Sequence, residues 1–461
     1  QNAVHVKNWA QYQTALEDRN TQAIVIDQDM TIPIGAEAGG YVPILISEGV
    51  TVTTQSQVQD GFDQWDWAMD ATILINRGTV KANLNFGDWD GDQVEDVCAF
   101  INYGSIQGNL FQDCIGALVN QGEITVRSAQ VIQSNLYNLG DLILHGVEEE
   151  NFLNLFCDTA CNFGSITLDG DMPSYTTLTN GLYFYNYGVI TVEDGAELNN
   201  EATLDNWGTI AVPAGGRLNN MGLITSTGAL ELDPNSRLGH DGIIHWFGEA
   251  LSFPNRTDNS GGKLIALDYN SGVRQATTQE ELRSALSDGS CTLVIVPGDL
   301  TVSGDLTVTK GLQVDGTLTM DGGSLSLSGA DASFWGCVDL GGGTLTLSDG
   351  AAMIAQSLEE CGGITVRSQS NLVVQEPLKL ESGAAVNMSD SHLTALRGYT
   401  MDQGDLSIQG VLRAMRTMEL TGCTVEVEAG ELHCLNAMTS LDQNTTVDVA
   451  QDGYLVLSDN E

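Results

Sequence analysis

Short apolar runs with a period of two recur along the first half of the chain, and a polar turn precedes most of them. Ile124 and Val126 form one such pair, and Leu142 and Leu144 form another. Strict alternation of apolar and polar residues predicts strands with one buried face. Because the strands are short and recur at similar intervals, the pattern predicts the stacked coils of a β-solenoid.

The turns before these runs share an asparagine followed two residues later by a glycine. Successive asparagines are 26, 18, 18, 24, 24, 20 and 14 residues apart, which suits one circuit of a parallel solenoid with loops of variable length. Asparagine tolerates the backbone of a sharp corner, and its amide can bond to the same amide one coil away, about 4.8 Å along the axis. We therefore expect a buried structural ladder of Asn76, Asn102, Asn120, Asn138, Asn162, Asn186, Asn206 and Asn220.

Two similar segments each predict a short helix followed by strands. Asn8 with Gln11 and Thr278 with Glu281 form capping boxes, which mark helix starts. A short amphipathic helix is an effective lid for the open end of a solenoid. The second lid predicts two modules, residues 1–270 and 271–461. One continuous solenoid with a lateral helix is the alternative.

The second module lacks the asparagine signature and uses strands led by glycine, such as Gly316-Thr317-Leu318-Thr319-Met320. Alternating hydroxyl and aliphatic side chains are typical of a half-solvated sheet.

This coil pattern resembles the right-handed parallel β-helix proteins of the pectin-lyase-like family, which are secreted enzymes and surface proteins of bacteria. The likeness covers roughly Ile24 to Asn255 well and Val294 to Leu457 less well. It implies an all-β, right-handed parallel β-helix (β-solenoid) with two modules, each with an N-terminal capping helix. It also implies a secreted or bacterial cell-surface location. The family's catalytic signatures are missing, and the nearest fragment is Gly239-His240-Asp241-Gly242.

Charge narrows the set of partners. The net charge of −44 comes from 61 acidic residues against 17 lysines and arginines, so the field repels nucleic acid, anionic lipid and polyuronate. Neutral glycans, basic protein surfaces and divalent cations remain compatible, although acidity can also serve only solubility. No stretch reaches the roughly 18 apolar residues of a membrane span.

One acidic loop suggests calcium. Its carboxylates stand at positions 1, 3, 5 and 9, with a backbone carbonyl at position 7, and calcium prefers such oxygen ligands. The run resembles the DxDGDxxxD loops of dockerin-type and integrin-like repeat proteins, although Gln93 stands where a glycine is usual. An acidic solvated turn is the alternative. The candidate ligands are Asp88, Asp90, Asp92, Val94 and Asp96.

Tryptophans beside carboxylates form a candidate sugar site. Tryptophan rings can stack on sugars while acids bind hydroxyls. Packing between the N-terminal helix and the first coils is the alternative. The residues are Asp63, Trp65, Asp66, Trp67 and Trp89.

Together these patterns favour a binding, adhesion or display scaffold for glycan or protein partners over a catalyst. The alternative is a polysaccharide-cleaving enzyme, a lyase or glycoside hydrolase, that uses carboxylates on the loop edge of the first module. The scaffold would be a stiff, acidic rod that displays a lateral surface, and a purely architectural stalk repeat is a third hypothesis. End-to-end or lateral self-association is compatible with each of them.

Overall fold

Strands and tight turns make up most of the chain in this computed structural model. It describes residues 3–33, 42–54, 67–69, 73–86, 97–145, 151–156, 159–170, 176–248, 251–258, 261–267, 272–434 and 438–457. Within these ranges the helices are α1 (Trp9–Glu17) and α2 (Gln279–Ser287).

The strands of the first module are joined by parallel pairings into one set of 29 within the described residues. In chain order they are Ala3–Val6, Ala23–Ile26, Met30–Ile32, Ile44–Ile46, Thr51–Thr54, Trp67–Met69, Ile73–Asn76, Thr79–Lys81, Leu84–Phe86, Val97–Asn102, Ser105–Asn120, Glu123–Asn138, Asp141–His145, Asn151–Phe156, Ala160–Asn162, Ser165–Asp169, Thr176–Asn180, Tyr183–Asn186, Val189–Val192, Ala196–Asn200, Thr203–Asn206, Thr209–Val212, Arg217–Asn220, Leu223–Ser226, Ala229–Leu232, Arg237–His240, Ile243–Trp246, Arg256–Asp258 and Lys263–Ile265.

The strands of the second module form a separate set of 21 within the described residues. They are Val273–Gln275, Leu293–Val296, Leu300–Ser303, Leu306–Val308, Gly311–Val314, Leu318–Asp321, Leu325–Ser328, Asp331–Asp339, Thr344–Ser348, Ala352–Glu359, Cys361–Arg367, Asn371–Val374, Leu378–Ala395, Tyr399–Asp402, Asp405–Ala414, Thr417–Thr421, Thr424–Val427, Glu431–Cys434, Met438–Leu441, Thr446–Val449 and Tyr454–Leu457. The divide between the two sets lies between Ile265 and Val273.

Each coil of the first module contributes to three stacked faces. Face A contains the strands that end at the first corner, such as Tyr183–Asn186. Face B follows the Asn-x-Gly turn, as in Val189–Val192, and face C contains strands such as Thr176–Asn180. Each strand pairs in parallel with its counterpart in the next coil. The predicted all-β parallel β-solenoid is confirmed.

Helix α1 covers the start of the first module. Its N-cap Asn8 accepts a hydrogen bond from the Gln11 amide at 3.0 Å, and the Gln11 side chain accepts one from the Lys7 amide at 2.8 Å. Tyr12 and Ala15, on the inner side of this helix, are buried in the core of the first coils.

Helix α2 repeats this arrangement at the start of the second module. The Thr278 hydroxyl accepts from the Glu281 amide at 3.2 Å, and the Glu281 carboxylate accepts from the Thr277 amide at 2.8 Å. Leu282 and Leu286 are buried against the strands that follow. In a capping box the side chain in the first turn bonds the backbone N–H of the N-cap residue. In both helices here that side chain bonds the N–H of the residue before the N-cap, so the pattern is extended by one position.

The two modules pack against each other through side chains that point out of each solenoid. On the first module they come from face A and the turns that lead into it. On the second they come from face D, which contains Asp331–Asp339, Ala352–Glu359 and Asn371–Val374, together with the ends of Leu378–Ala395 and Asp405–Ala414. The shared apolar cluster consists of Ala202, Leu223, Ile243, Ile265, Ala352, Ile354, Val373, Leu396 and Met415, with Leu267 packed against it.

The strands of face A cross those of face D. Asp241, just before the strand Ile243–Trp246, bonds Arg413, whereas His245 within that strand contacts the Trp335 ring at 5.8 Å. Trp335 and Arg413 lie on strands separated by four successive pairings of the second module. One strand of face A therefore passes over more than one coil of face D. A single straight rod is therefore excluded, since the apolar outer surfaces of the two modules bury each other side on.

Candidate binding surface

The first corner of the solenoid is built on a continuous file of buried asparagine amides. Asn120 donates from Nδ2 to Asn138 Oδ1 at 2.8 Å, and Asn138 donates in the same way to Asn162 at 2.8 Å. The second amide proton reaches a backbone carbonyl of the next coil, as from Asn120 to Asp141 at 3.0 Å. The file consists of Asn76, Asn102, Asn120, Asn138, Asn162, Asn186 and Asn206, and it ends on the Ser226 hydroxyl at 2.9 Å.

The prediction that Asn220 continues this file is wrong. Asn220 belongs to a second file at the corner between faces C and A, where it accepts from Asn200 Nδ2 at 2.8 Å. Asn200 accepts from Asn180 in turn, and Asn220 lies 3.5 Å from His240 Nδ1. Both corners need the same amide chemistry, so the motif alone does not distinguish them.

The turn at the first corner forces its central residue into solvent. The glycines stack directly on one another, and a Cβ on Gly140 would collide with the carbonyl oxygen of Gly122. The asparagine points into the core and the glycine has no side chain, so only the residue between them projects outward. The large apolar residues in this position, here called the corner strip, are Tyr103 (46% exposed), Leu139 (48%), Phe163 (51%), Tyr187 (47%) and Trp207 (59%).

The rings of the corner strip stack along the solenoid axis. Phe163 and Tyr187 are 5.0 Å apart with planes 5° from parallel, and Tyr187 and Trp207 are 6.4 Å apart at 15°. The Arg77 guanidinium lies 5.5 Å from the Tyr103 ring centre. Because each stacked ring covers the face of its neighbour, the strip presents ring edges outward.

The crossing of the modules brings together a second cluster, of charged side chains. Arg413 is 3% exposed, and its Nη2 donates to Asp241 Oδ2 at 3.3 Å. Its Nη1 lies 3.5 Å from His392 Nδ1. Burial lowers the pKa of Arg413, and burial raises the pKa of Glu201 nearby, so this cluster has the character of an interface ion pair.

Two buried histidines border the same contact. Burial lowers the pKa of His240 to about 4 and that of His245 to about 4, so both are neutral near pH 7. The His245 ring centre lies 4.3 Å from that of Phe247 and 5.8 Å from that of Trp335. The fragment Gly239-His240-Asp241-Gly242 thus forms part of the packing between the modules.

The candidate sugar and calcium residues fall almost wholly outside the described residues. These are Asp63, Trp65, Asp66, Trp89 and the loop from Asp88 to Asp96. Trp67 begins the strand Trp67–Met69, which pairs with Leu84–Phe86 on face C. Both sites, and the catalytic loop edge, stay predictions.

Within the described ranges, no group of three or more histidine, cysteine, aspartate or glutamate residues could hold a metal ion. In the same part of the chain, no helix is long and apolar enough to cross a membrane. No known protein family, curated protein or solved structure matches the chain.

The corner strip was missed at the level of sequence, although its signal is present. Reading the middle residue of the seven Asn-x-Gly motifs at the first corner gives Arg77, Tyr103, Gln121, Leu139, Phe163, Tyr187 and Trp207. An apolar residue in the middle of a polar turn is unusual, and its repetition marks a surface feature.

Proposed function

We propose that this protein is a binding and display scaffold that presents the corner strip to a partner protein of opposite charge. The observation that carries the proposal is the run of Leu139, Phe163, Tyr187 and Trp207, each about half exposed, at consecutive coils of a rigid solenoid. Contiguous apolar surface on a soluble protein marks an interaction site more often than a scattered exposed leucine does. A secreted or bacterial cell-surface setting is part of the proposal, on the resemblance of the coil pattern alone.

The ring geometry favours protein over glycan as the partner. A sugar stacks on the face of an aromatic ring, but Tyr187 has a neighbouring ring on each face, and Phe163 and Trp207 each have one face covered by it. The exposed edges and the Leu139 side chain suit apolar side chains from another protein. Tyrosine and tryptophan are also the residues most enriched among binding hot spots.

Charge supports a basic partner. Glu123 and Asp141 are exposed and directly follow two of the corner turns, and the chain as a whole carries −44. Such a field accelerates association with a cationic surface and repels acidic proteins. The Arg77 guanidinium already makes a cation–π contact with the Tyr103 ring of this strip.

The test compares the unmodified protein with a triple variant, Phe163→Ser, Tyr187→Ser and Trp207→Ser, on an array of purified basic proteins, acidic proteins and neutral glycans. We expect saturable binding to at least one basic protein, weakened tenfold or more in the triple variant. Raising the salt concentration should weaken it further.

The matched control is Phe253→Ser, which removes an aromatic ring of similar exposure from another part of the first module. It should leave the affinity unchanged. Equal binding by the triple variant would show that the strip takes no part, and binding confined to glycans would assign the scaffold to carbohydrate.

A further inference from the structure

Three arginines form a column on the outer side of face C. Arg217, Arg237 and Arg256 are register partners on three successive parallel strands. Leu218 and Leu238, the next residues along the first two of these strands, are fully buried, so the arginines point outward. Since paired strands lie about 4.8 Å apart, the three positions span about 10 Å along the solenoid axis. This set is here called the arginine column.

The column collects all the basic charge of a long stretch of sequence. Between Arg127 and Lys263 the chain has no lysine or arginine other than these three. They are separated by 237 − 217 = 20 and 256 − 237 = 19 residues, about one circuit each, so the fold brings them into register. Like charges on directly opposed positions destabilise a sheet. The column therefore favours a negative charge supplied from outside.

One arginine is anchored and the other two are open to solvent. Arg217 Nε donates to Asn219 Oδ1 at 2.7 Å, and its Nη1 lies 3.8 Å from Glu197 Oε2. Arg237 and Arg256 are exposed. Within the described ranges, no ion pair joins either of them to a carboxylate. The column thus has one fixed guanidinium and two that can reorient towards a ligand.

A notch lies beside the column. The next outward positions on the same three strands are Asn219, Gly239 and Asp258, and the glycine contributes no side chain. A cavity of about 430 Å³ opens there, lined by Arg217, Asn219 and Asp258 among others. Arg217 Nη2 lies 3.5 Å from the position that a Cβ on Gly239 would take. A group bound at the column would therefore meet a guanidinium, an amide and a carboxylate beside it.

We propose that the arginine column binds the acidic face of an α-helix of another protein. Carboxylates at positions i, i+4 and i+7 lie on one side of a helix and span about 10.5 Å along its axis, which matches the column. Three carboxylates on alternate residues of an extended strand would span about 13 Å and fit less well. Each guanidinium can pair with one carboxylate through two parallel hydrogen bonds.

The charge of the whole chain favours such a helix over nucleic acid. Nucleic acid binds through many phosphates, and the net charge of −44 repels a long polyanion. A short segment with three acids makes its contacts within the column, and exposed charges more than about 10 Å away are largely screened at 0.1 M salt. The column lies on face C and the corner strip between faces A and B, so this proposal stands or falls independently of the proposed function.

The probe is a labelled, alanine-based helical peptide of about 20 residues, since shorter isolated helices are marginal in water. In the aligned peptide three glutamates stand at i, i+4 and i+7. In the dispersed peptide the same three glutamates stand on three different sides of the helix, so composition and net charge are equal. Binding to the full chain is followed by fluorescence anisotropy at low salt, with a single-stranded oligonucleotide as a further ligand.

We expect the aligned peptide to bind saturably and at least fivefold more tightly than the dispersed peptide. The double variant Arg237→Gln, Arg256→Gln should weaken its binding at least fivefold. The matched control, Arg19→Gln with Arg367→Gln, removes two exposed arginines elsewhere and changes the net charge equally. It should leave the affinity unchanged.

Equal binding of the two peptides, or no binding of the aligned one, would overturn the proposal, and both measurements use the unaltered protein. An equal loss in the control variant would show that only the net charge matters. Binding of the oligonucleotide at least as tight as that of the aligned peptide would assign the column to polyanions and overturn the proposed helix.

Discussion

At the scale of single residues, the asparagine file shows how a polar side chain can specify the stacking of a β-solenoid. Asn162 accepts from Asn138, donates to Asn186 at 2.8 Å and donates to the Val189 carbonyl at 3.1 Å. The backbone carbonyl of Asn162 also accepts from the amides of Tyr187 and Gly188. Since a shift of one residue would leave these buried groups unpaired, the file fixes the register of each coil.

Replacing one member of the file should cost far more than replacing a half-buried amide. In Asn162→Ala the Asn138 and Asn186 amides and the Val189 carbonyl each lose a partner in a site from which water is excluded. At about 1–3 kcal/mol for each unsatisfied group, partly relieved by relaxation, we expect a loss of about 2–5 kcal/mol in the free energy of unfolding. Urea denaturation of the full chain measures it.

The control is Asn199→Ala. Asn199 is half-buried on the outer side of face C and accepts from Asn219 at 2.8 Å, so its loss should cost about 1 kcal/mol. Similar losses for the two variants would contradict the view that the buried file holds the coils in register.

The Asn-x-Gly motif alone could not show that Asn220 belongs to the second file. The interval from Asn206 to Asn220 is 220 − 206 = 14 residues, shorter than every earlier interval, and a full circuit of 20 residues leads instead to Ser226. The shorter interval was therefore the available signal of a second corner. The amide chemistry is identical at both corners, so residue type gave no warning.

At the scale of elements, the helices and the faces differ in how far the sequence predicts them. The capping boxes predicted α1 and α2 because capping depends on a few adjacent residues. The contact of face A with face D depends on residues far apart in the chain. Its local signal is the consecutive apolar pairs Leu223-Ile224 and Ile243-Ile244, which are typical of strands buried on both sides. That signal shows that face A is covered but does not identify what covers it.

Helix α2 should be essential to the second module because it seals the first coil. Leu282 is fully buried, and Leu282→Ala should reduce the free energy of unfolding by about 2–5 kcal/mol through lost burial and the cavity that remains. A weakened lid also uncovers strand edges, so size-exclusion chromatography should show more self-association.

The control is Ser284→Ala, on the exposed side of the same helix, which should change the stability by at most about 0.5 kcal/mol and leave the elution unchanged. Identical elution and stability of Leu282→Ala and the unmodified chain would show that the helix is not a lid.

At the scale of the whole molecule, the contact between the modules should make stability depend on pH. Burial lowers the pKa of His245 from 6.5 to about 4, so the native state binds fewer protons than the unfolded state between these values. Its contribution is fully present above pH 6.5 and is lost as the pH falls towards 4. The difference of 6.5 − 4 = 2.5 pKa units corresponds to about 3 kcal/mol, since one unit is about 1.4 kcal/mol.

Acidic residues at the same contact change the stability with pH in the opposite direction. Burial raises the pKa of Asp205 to about 6 and that of Asp331 to about 6, so stability from these groups is lost as the pH rises from 3.8 to 6. These opposing contributions make the stability of the unmodified protein depend less on pH. Variants that remove one titrating group at a time are therefore needed to separate them.

We expect His245→Phe to lose the acid-sensitive part of the profile and Asp205→Asn to lose the opposite part. Phenylalanine keeps the aromatic contact with Phe247 and Trp335 but carries no proton-binding group, so the stability of His245→Phe relative to the unmodified chain should rise by about 2–3 kcal/mol between pH 6.5 and pH 4. Asp205→Asn should gain relative stability as the pH rises from 3.8 to 6. Urea denaturation at half-unit steps from pH 3.5 to 7 measures both.

If His245→Phe and the unmodified protein showed the same change of stability with pH, His245 would have to titrate in the folded protein as it does in the unfolded chain. Its enclosure between the two modules would then be wrong.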